Sequence, residues 1–133
     1  MIKKITLGIT FLFSTLMIAS PAYADWERVS KNVKGTYYVD TDRIRNNDSN
    51  VYWWELQDLL KPDEVGVLSI KVYHQGDCKV FRLKILSMIF HAQPMGEGSV
   101  GTYSPPEPEW MYPSPNSSGE TVLKRVCKFA ETL

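Results

Sequence analysis

The chain is short of the residues from which metal and catalytic centres are built. It has two cysteines and two histidines in 133 residues. None of the four, Cys78, Cys127, His74 and His91, stands in a close ligand pair such as C-x-x-C or H-x-x-x-H. No H-E-x-x-H occurs and no serine occupies a nucleophile elbow, so the zinc-protease and serine-hydrolase patterns do not apply. Charge of one sign is lacking too. Fifteen basic residues face fifteen acidic ones, which leaves no basic excess for nucleic-acid or bulk membrane binding. Long apolar runs are absent after the N-terminus, so no membrane span is expected in the mature chain.

One glycine motif is present without its context. Residues 96–101 read GEGSVG, the letters of the G-x-G-x-x-G dinucleotide loop. That loop needs a helix directly after it, so that the pyrophosphate meets the helix N-terminus. Pro105, Pro106 and Pro108 follow instead, and proline removes backbone donors and turns preceding residues away from helix. The glycines are expected to serve backbone turns.

The N-terminal segment carries Lys3 and Lys4, an uncharged, mostly apolar run from Ile5 to Ile18, and Ala22-Tyr23-Ala24. This is the three-part pattern of a secretory signal with an A-x-A cleavage site. Cleavage after Ala24 predicts an exported protein of residues 25–133, the size of one domain. Without the two lysines, acidic residues exceed basic ones by two. No cysteine lies near the cleavage site, so the product is expected in the periplasm, at the cell surface or secreted, without a lipid anchor. In an oxidising compartment Cys78 and Cys127 are expected to form a disulfide. Closing a loop of roughly 50 residues would stabilise the fold by about 4 kcal/mol in the chain-entropy account.

Most of the rest reads as short strands between turns. Trp26–Ser30 and 36–39 come first; Asp40 and Asp42, which end the second strand, read as turn caps, and a polar loop follows at 43–50. Three longer strands follow at 51–59, 67–73 and 79–90. Alternation sorts their faces. Tyr52, Trp54 and Leu56, Leu68, Ile70 and Val72, and Phe81, Leu83 and Ile85 are assigned to the core. The opposite parities put Trp53, Glu55, Gln57, Ser69, Lys71, Tyr73, Arg82 and Lys84 on a wet, aromatic and basic face. Cys78 shares the parity of Arg82, so it is expected in a turn or bulge. From Ser117 onward the chain reads as a capped amphipathic helix. Ser117 and Glu120 have capping-box spacing, and Val122, Leu123, Val126, Cys127, Ala130 and Leu133 fall on one side. The predicted fold is α+β, an antiparallel sheet of about six strands with this helix on one face, tethered by the disulfide.

Several motifs in order resemble a known family. They are W-x-x-V at 26–29, YYVD at 37–40 followed by Ile44, V-x-W-x-x-L-x-D at 51–58, DCK at 77–79 and R-x-x-x-L at 82–86, then MGEG at 95–98, Trp110 with Pro113, and VC at 126–127. This set resembles the surface-adhesin protein E family. The resemblance implies the same sheet and tethered helix, and a bacterial binding protein that attaches to host extracellular matrix.

Three functional readings follow. A binding module would use Trp53, Lys71, Tyr73, Arg82 and Lys84 on the wet face to hold acidic protein segments or anionic glycans by stacking and charge-assisted hydrogen bonds. A homodimer contact could use the same patch. A small exported enzyme would have to pair His74 or His91 with Asp58 or Asp77, and a ligand store such as a haem protein would use a histidine as axial ligand. No residue spacing demands either of the last two. The binding protein, without catalysis, cofactor or bound metal, is the expected function.

Overall fold

The computed structural model describes residues 25–133; the secretory signal expected at residues 1–24 lies outside them. Seven strands form one antiparallel sheet. They are β1 Trp26–Lys31, β2 Gly35–Asp40, β3 Arg45–Asn47, β4 Asn50–Leu59, β5 Ser69–Asp77, β6 Arg82–His91 and β7 Ser99–Tyr103. The order across the sheet is β1-β2-β4-β5-β6-β7, and β3 lies beside the start of β4. A single α-helix among the described residues, α1 at Ser118–Ala130, packs on one face. No described helix is long and apolar enough to cross a membrane.

Local chemistry explains the boundaries. Asp40 ends β2 by accepting from the Asp42 amide, which starts the 3-10 turn Thr41–Arg43. Between β6 and β7 the chain makes a second 3-10 turn at Pro94–Gly96, with Gly96 and Gly98 at φ 74° and 66°. Positive φ is cheap only for glycine, so the opening glycines of GEGSVG are turn residues. A strand follows them where a nucleotide loop would need a helix. Ser117 caps α1 by accepting from the Glu120 amide, and Glu120 reaches back to the Asn116 amide, a variant of the capping box.

The disulfide joins Cys78 to Cys127. Cys78 occupies the β5–β6 turn, as its parity requires, but that turn comes later than the sequence suggested. Strand β5 runs on to Asp77, and Phe81, assigned above to a strand, sits in the turn at φ 63°. Its ring still packs against the core.

The main departure from expectation lies in β4. Trp53 is fully buried and Trp54 is not, so the helix covers the parity that had been read as wet. Cross-strand partners share a face. Trp53 stands opposite His74, Glu55 opposite Val72 and Val51 opposite Gly76. All of these face α1. The face assignments in the neighbouring strands hold, because Val72 and Leu83 lie on the helix side, but Ser69, expected to be wet, is fully buried beneath the Pro94–Gly96 turn. Glu55 and Gln57 are therefore corrected together with Trp53.

A buried carboxylate accompanies this inversion. Glu55 is 5% exposed, its Oε1 lies 3.3 Å from His74 Nε2, and its Oε2 accepts from Gln57 Nε2 at 2.7 Å. His74 stacks on Trp53 with ring centroids 4.9 Å apart. A polar group can enter a core when partners meet it there, so Glu55 travels inward on the face that also buries Trp53. Leu56, on the other parity, is buried as well, under the Pro94–Gly96 turn.

Gly76 makes room for the indole. A Cβ added there would stand 2.8 Å from Trp53 Cζ3 and 2.9 Å from Leu123 Cδ1. Gly76→Ala should cost about 1–3 kcal/mol by overpacking. Trp53→Ala should cost about 3–5 kcal/mol through the cavity it leaves, and Trp54→Ala should leave stability nearly unchanged. Urea melts of the three variants check this order, and a Trp54 variant less stable than the Trp53 variant would reverse the assignment.

Candidate functional site

The face away from α1 carries aromatic side chains in register. Trp54 stands opposite Tyr73 and Tyr52 opposite Gln75. The rings of Trp54 and Tyr73 are 4.9 Å apart, and those of Tyr52 and Tyr73 are 6.3 Å apart. All three are partly exposed. Next to them, Gln75 pairs with Lys84 and Asp77 with Arg82 across β5 and β6. Above those cations lies Trp110. Its ring centroid is 4.2 Å from Arg82 Cζ and 4.3 Å from Lys84 Nζ, a double cation–π contact.

Trp110 reaches this face through a short pairing. Met111 bridges Leu83 on the edge of β6, donating to and accepting from it. Leu83 belongs to the helix side, so alternation sends Met111 to that side and Trp110 to the open one. Prolines around the segment conceal this from any strand-parity argument, and for that reason alternation could not identify Trp110 as a site residue.

The acids of the open face are engaged locally. Asp58 accepts from the Met95 amide at 2.8 Å. Asp77 accepts from the amides of Lys79 and Val80 and from Arg82 Nε. The Val80 amide does most to hold its carboxyl below the usual range, against partial desolvation, with Arg82 and Lys79 adding to it. Asp40 is buried, and burial pushes its carboxyl up although the Asp42 amide and Arg43 oppose this. Lys71 and Lys84 have no carboxylate within salt-bridge distance among the described residues. The face is therefore aromatic with uncompensated positive charge.

Of the five residues expected to form a binding face, the structure brings Lys71, Tyr73, Arg82 and Lys84 together. Trp53 is the exception. It lies beneath α1, and Trp54 takes its place on the surface. Tyr52 and Trp110 join the group.

The two histidines are separated. His74, expected near a strand end, sits inside β5 on the helix side, while His91 ends β6 on the open side. Neither pairs with Asp58 or Asp77, and no single haem or dyad could use both. His91 is 3% exposed, at the position opposite Ser69, whose hydroxyl holds the Pro94–Gly96 turn through Gln93 O and the Gly96 amide. Burial lowers the His91 pKa, and the Lys71 charge lowers it further. With the folded value below the unfolded one, the stabilisation is complete above about pH 6.5 and is lost as pH falls through the folded value. His91→Gln should flatten that acid limb. Urea stability measured at pH 7.5 and pH 5 tests it; parallel losses in both proteins would show that the imidazole is not held neutral.

The sequence model of the surface-adhesin protein E family matches residues 26–128. No curated protein matches the sequence. Among solved structures, crystal form II of Haemophilus influenzae protein E is similar, with a TM-score of 0.62 and 17% identity, covering 84% of this chain and 93% of that one. Another structure of Haemophilus influenzae protein E gives a TM-score of 0.59 at 18% identity, covering 87% of this chain and 96% of that one.

Proposed function

The chain belongs to the surface-adhesin protein E family, and from that premise we propose an exported, non-catalytic binding protein that holds acidic segments of extracellular matrix proteins or anionic glycans on its open sheet face. Export as a single domain of residues 25–133 follows from the N-terminal signal pattern. The observation that carries the reading is one surface on which the Tyr52, Trp54 and Tyr73 rings adjoin Lys71, Lys84 and the Arg82–Trp110 pair. Flat rings supply contact area at low entropic cost, and cations without carboxylate partners supply charge-assisted hydrogen bonds.

Such a surface should bind with strong salt dependence, because surface charge is screened over about 10 Å at 0.1 M salt. Replacing Lys71 and Lys84 with Gln should weaken binding to immobilised heparin or a polyglutamate peptide about tenfold and flatten the salt dependence. Trp54→Ala should weaken it by a similar factor at unchanged melting temperature. Surface plasmon resonance at 50 and 300 mM salt decides; variants that bind like the parent protein would refute the assignment of this face. Sensitivity of the protein to protease added to intact cells distinguishes surface display from residence in the periplasm.

A further inference from the structure

On the other side of the sheet, the first turn of α1 overhangs the strands and leaves a cleft of about 360 Å³. Its floor is polar and its far wall is apolar. Glu55, Gln57 and His74 line the one, and Leu83, Ile85 and Met111 line the other. Ser118 and Gly119, the first residues of the helix, close the near end.

Three features of this cleft bear on what it can hold. The first is His74, which is 5% exposed and whose two ring nitrogens form no hydrogen bond among the described residues. Its Nε2 is within ion-pair distance of Glu55 Oε1, but it is not aligned for a hydrogen bond. The Trp53 indole nitrogen beside it is also without a well-formed partner. Native interiors keep few such groups, and those they keep cluster at functional sites. The second is the charge on Glu55. Burial acts to neutralise it, yet His74, Gln57 and Trp53 together hold its carboxyl below the usual range, so an ionised carboxylate lies in the floor with His74 beside it. The third is the end of α1. The first amides of a helix have no intrahelical acceptor, and of these the Ser117 hydroxyl, which itself donates to Ser114 O, accepts only from Glu120. The remaining donors, with the helix dipole behind them, favour a carboxylate.

We propose that this cleft binds a free α-amino acid with an apolar side chain. The α-ammonium meets Glu55, the α-carboxylate meets the amides of Ser118 and Gly119, and the side chain lies against Leu83, Ile85 and Met111. A simple cation would leave the helix end unmatched and a simple anion would face Glu55, whereas a zwitterion answers both. The volume accommodates a side chain as large as phenylalanine.

Titration calorimetry of the protein with L-phenylalanine tests the site, with phenethylamine and 3-phenylpropionate as probes that each lack one charge. L-Phenylalanine should bind with one-to-one stoichiometry and at least tenfold more tightly than either. Glu55→Gln should reduce its affinity at least tenfold. Met111→Trp, a change at the exposed rim that leaves the core intact, should block it. Absence of saturable heat at millimolar L-phenylalanine, equal affinity for either singly charged probe, or undiminished binding by Met111→Trp would overturn the proposal. Trp54→Ala should bind the amino acid normally, so failure of this site and failure of the open-face reading are separable.

Discussion

The position of the Trp53 indole determines which side of the sheet the helix covers. It fills the space over Gly76, against Leu123 and flat on His74. Once that ring is inside, the parity of β4 is fixed, and so is the identity of everything on the other face. Burying a Trp side chain removes 150–250 Å² from water, the largest contribution a single residue can make to this core. The disulfide works with the same constraint. It ties α1 to the β5–β6 turn at Cys78, two residues beyond Gly76, so the covalent link and the tightest packing point act on the same part of the helix–sheet contact.

Much of the fold could be read from the sequence because its signals were local. The capped helix needed only Ser117, Glu120 and an apolar stripe, and the turns after β6 needed only glycines and prolines. Alternation in β5 and β6 sorted Val72 from Lys71 and Leu83 from Lys84 correctly. It failed in β4, where both parities hold an aromatic residue and the deciding signal was the apparent polarity of Glu55 and Gln57. That polarity is cancelled by His74, a partner two strands' worth of sequence away and unpairable without the register. Leu56 reinforced the error. It is buried on the open face, but by the Pro94–Gly96 turn and not by the helix.

The candidate binding face was legible in its charges and less so in its aromatics. Lys71, Tyr73, Arg82 and Lys84 come from strands whose parity was clear, so their convergence followed from alternation. Trp54 was lost with the inversion of β4. Trp110 belongs to a segment with no strand or helix pattern, and only its pairing through Met111 to the edge of β6 gives it a face.

That segment explains how one sheet can present two different surfaces. Strand β7 covers β6 only from Met88 to His91, which would leave the amide and carbonyl of Leu83 open to another chain. An exposed strand edge invites intermolecular pairing. Met111 closes it with two backbone hydrogen bonds, Leu83 N to Met111 O at 2.9 Å and Met111 N to Leu83 O at 2.7 Å. Prolines at 105, 106, 108 and 113 favour an extended backbone on either side of this pairing. In an extended chain consecutive side chains point to opposite sides, so Trp110 goes to the cations of the open face and Met111 to the rim of the cleft under α1. A change in the length of this segment would therefore disturb both surfaces together, whereas a side-chain substitution at either residue alters one.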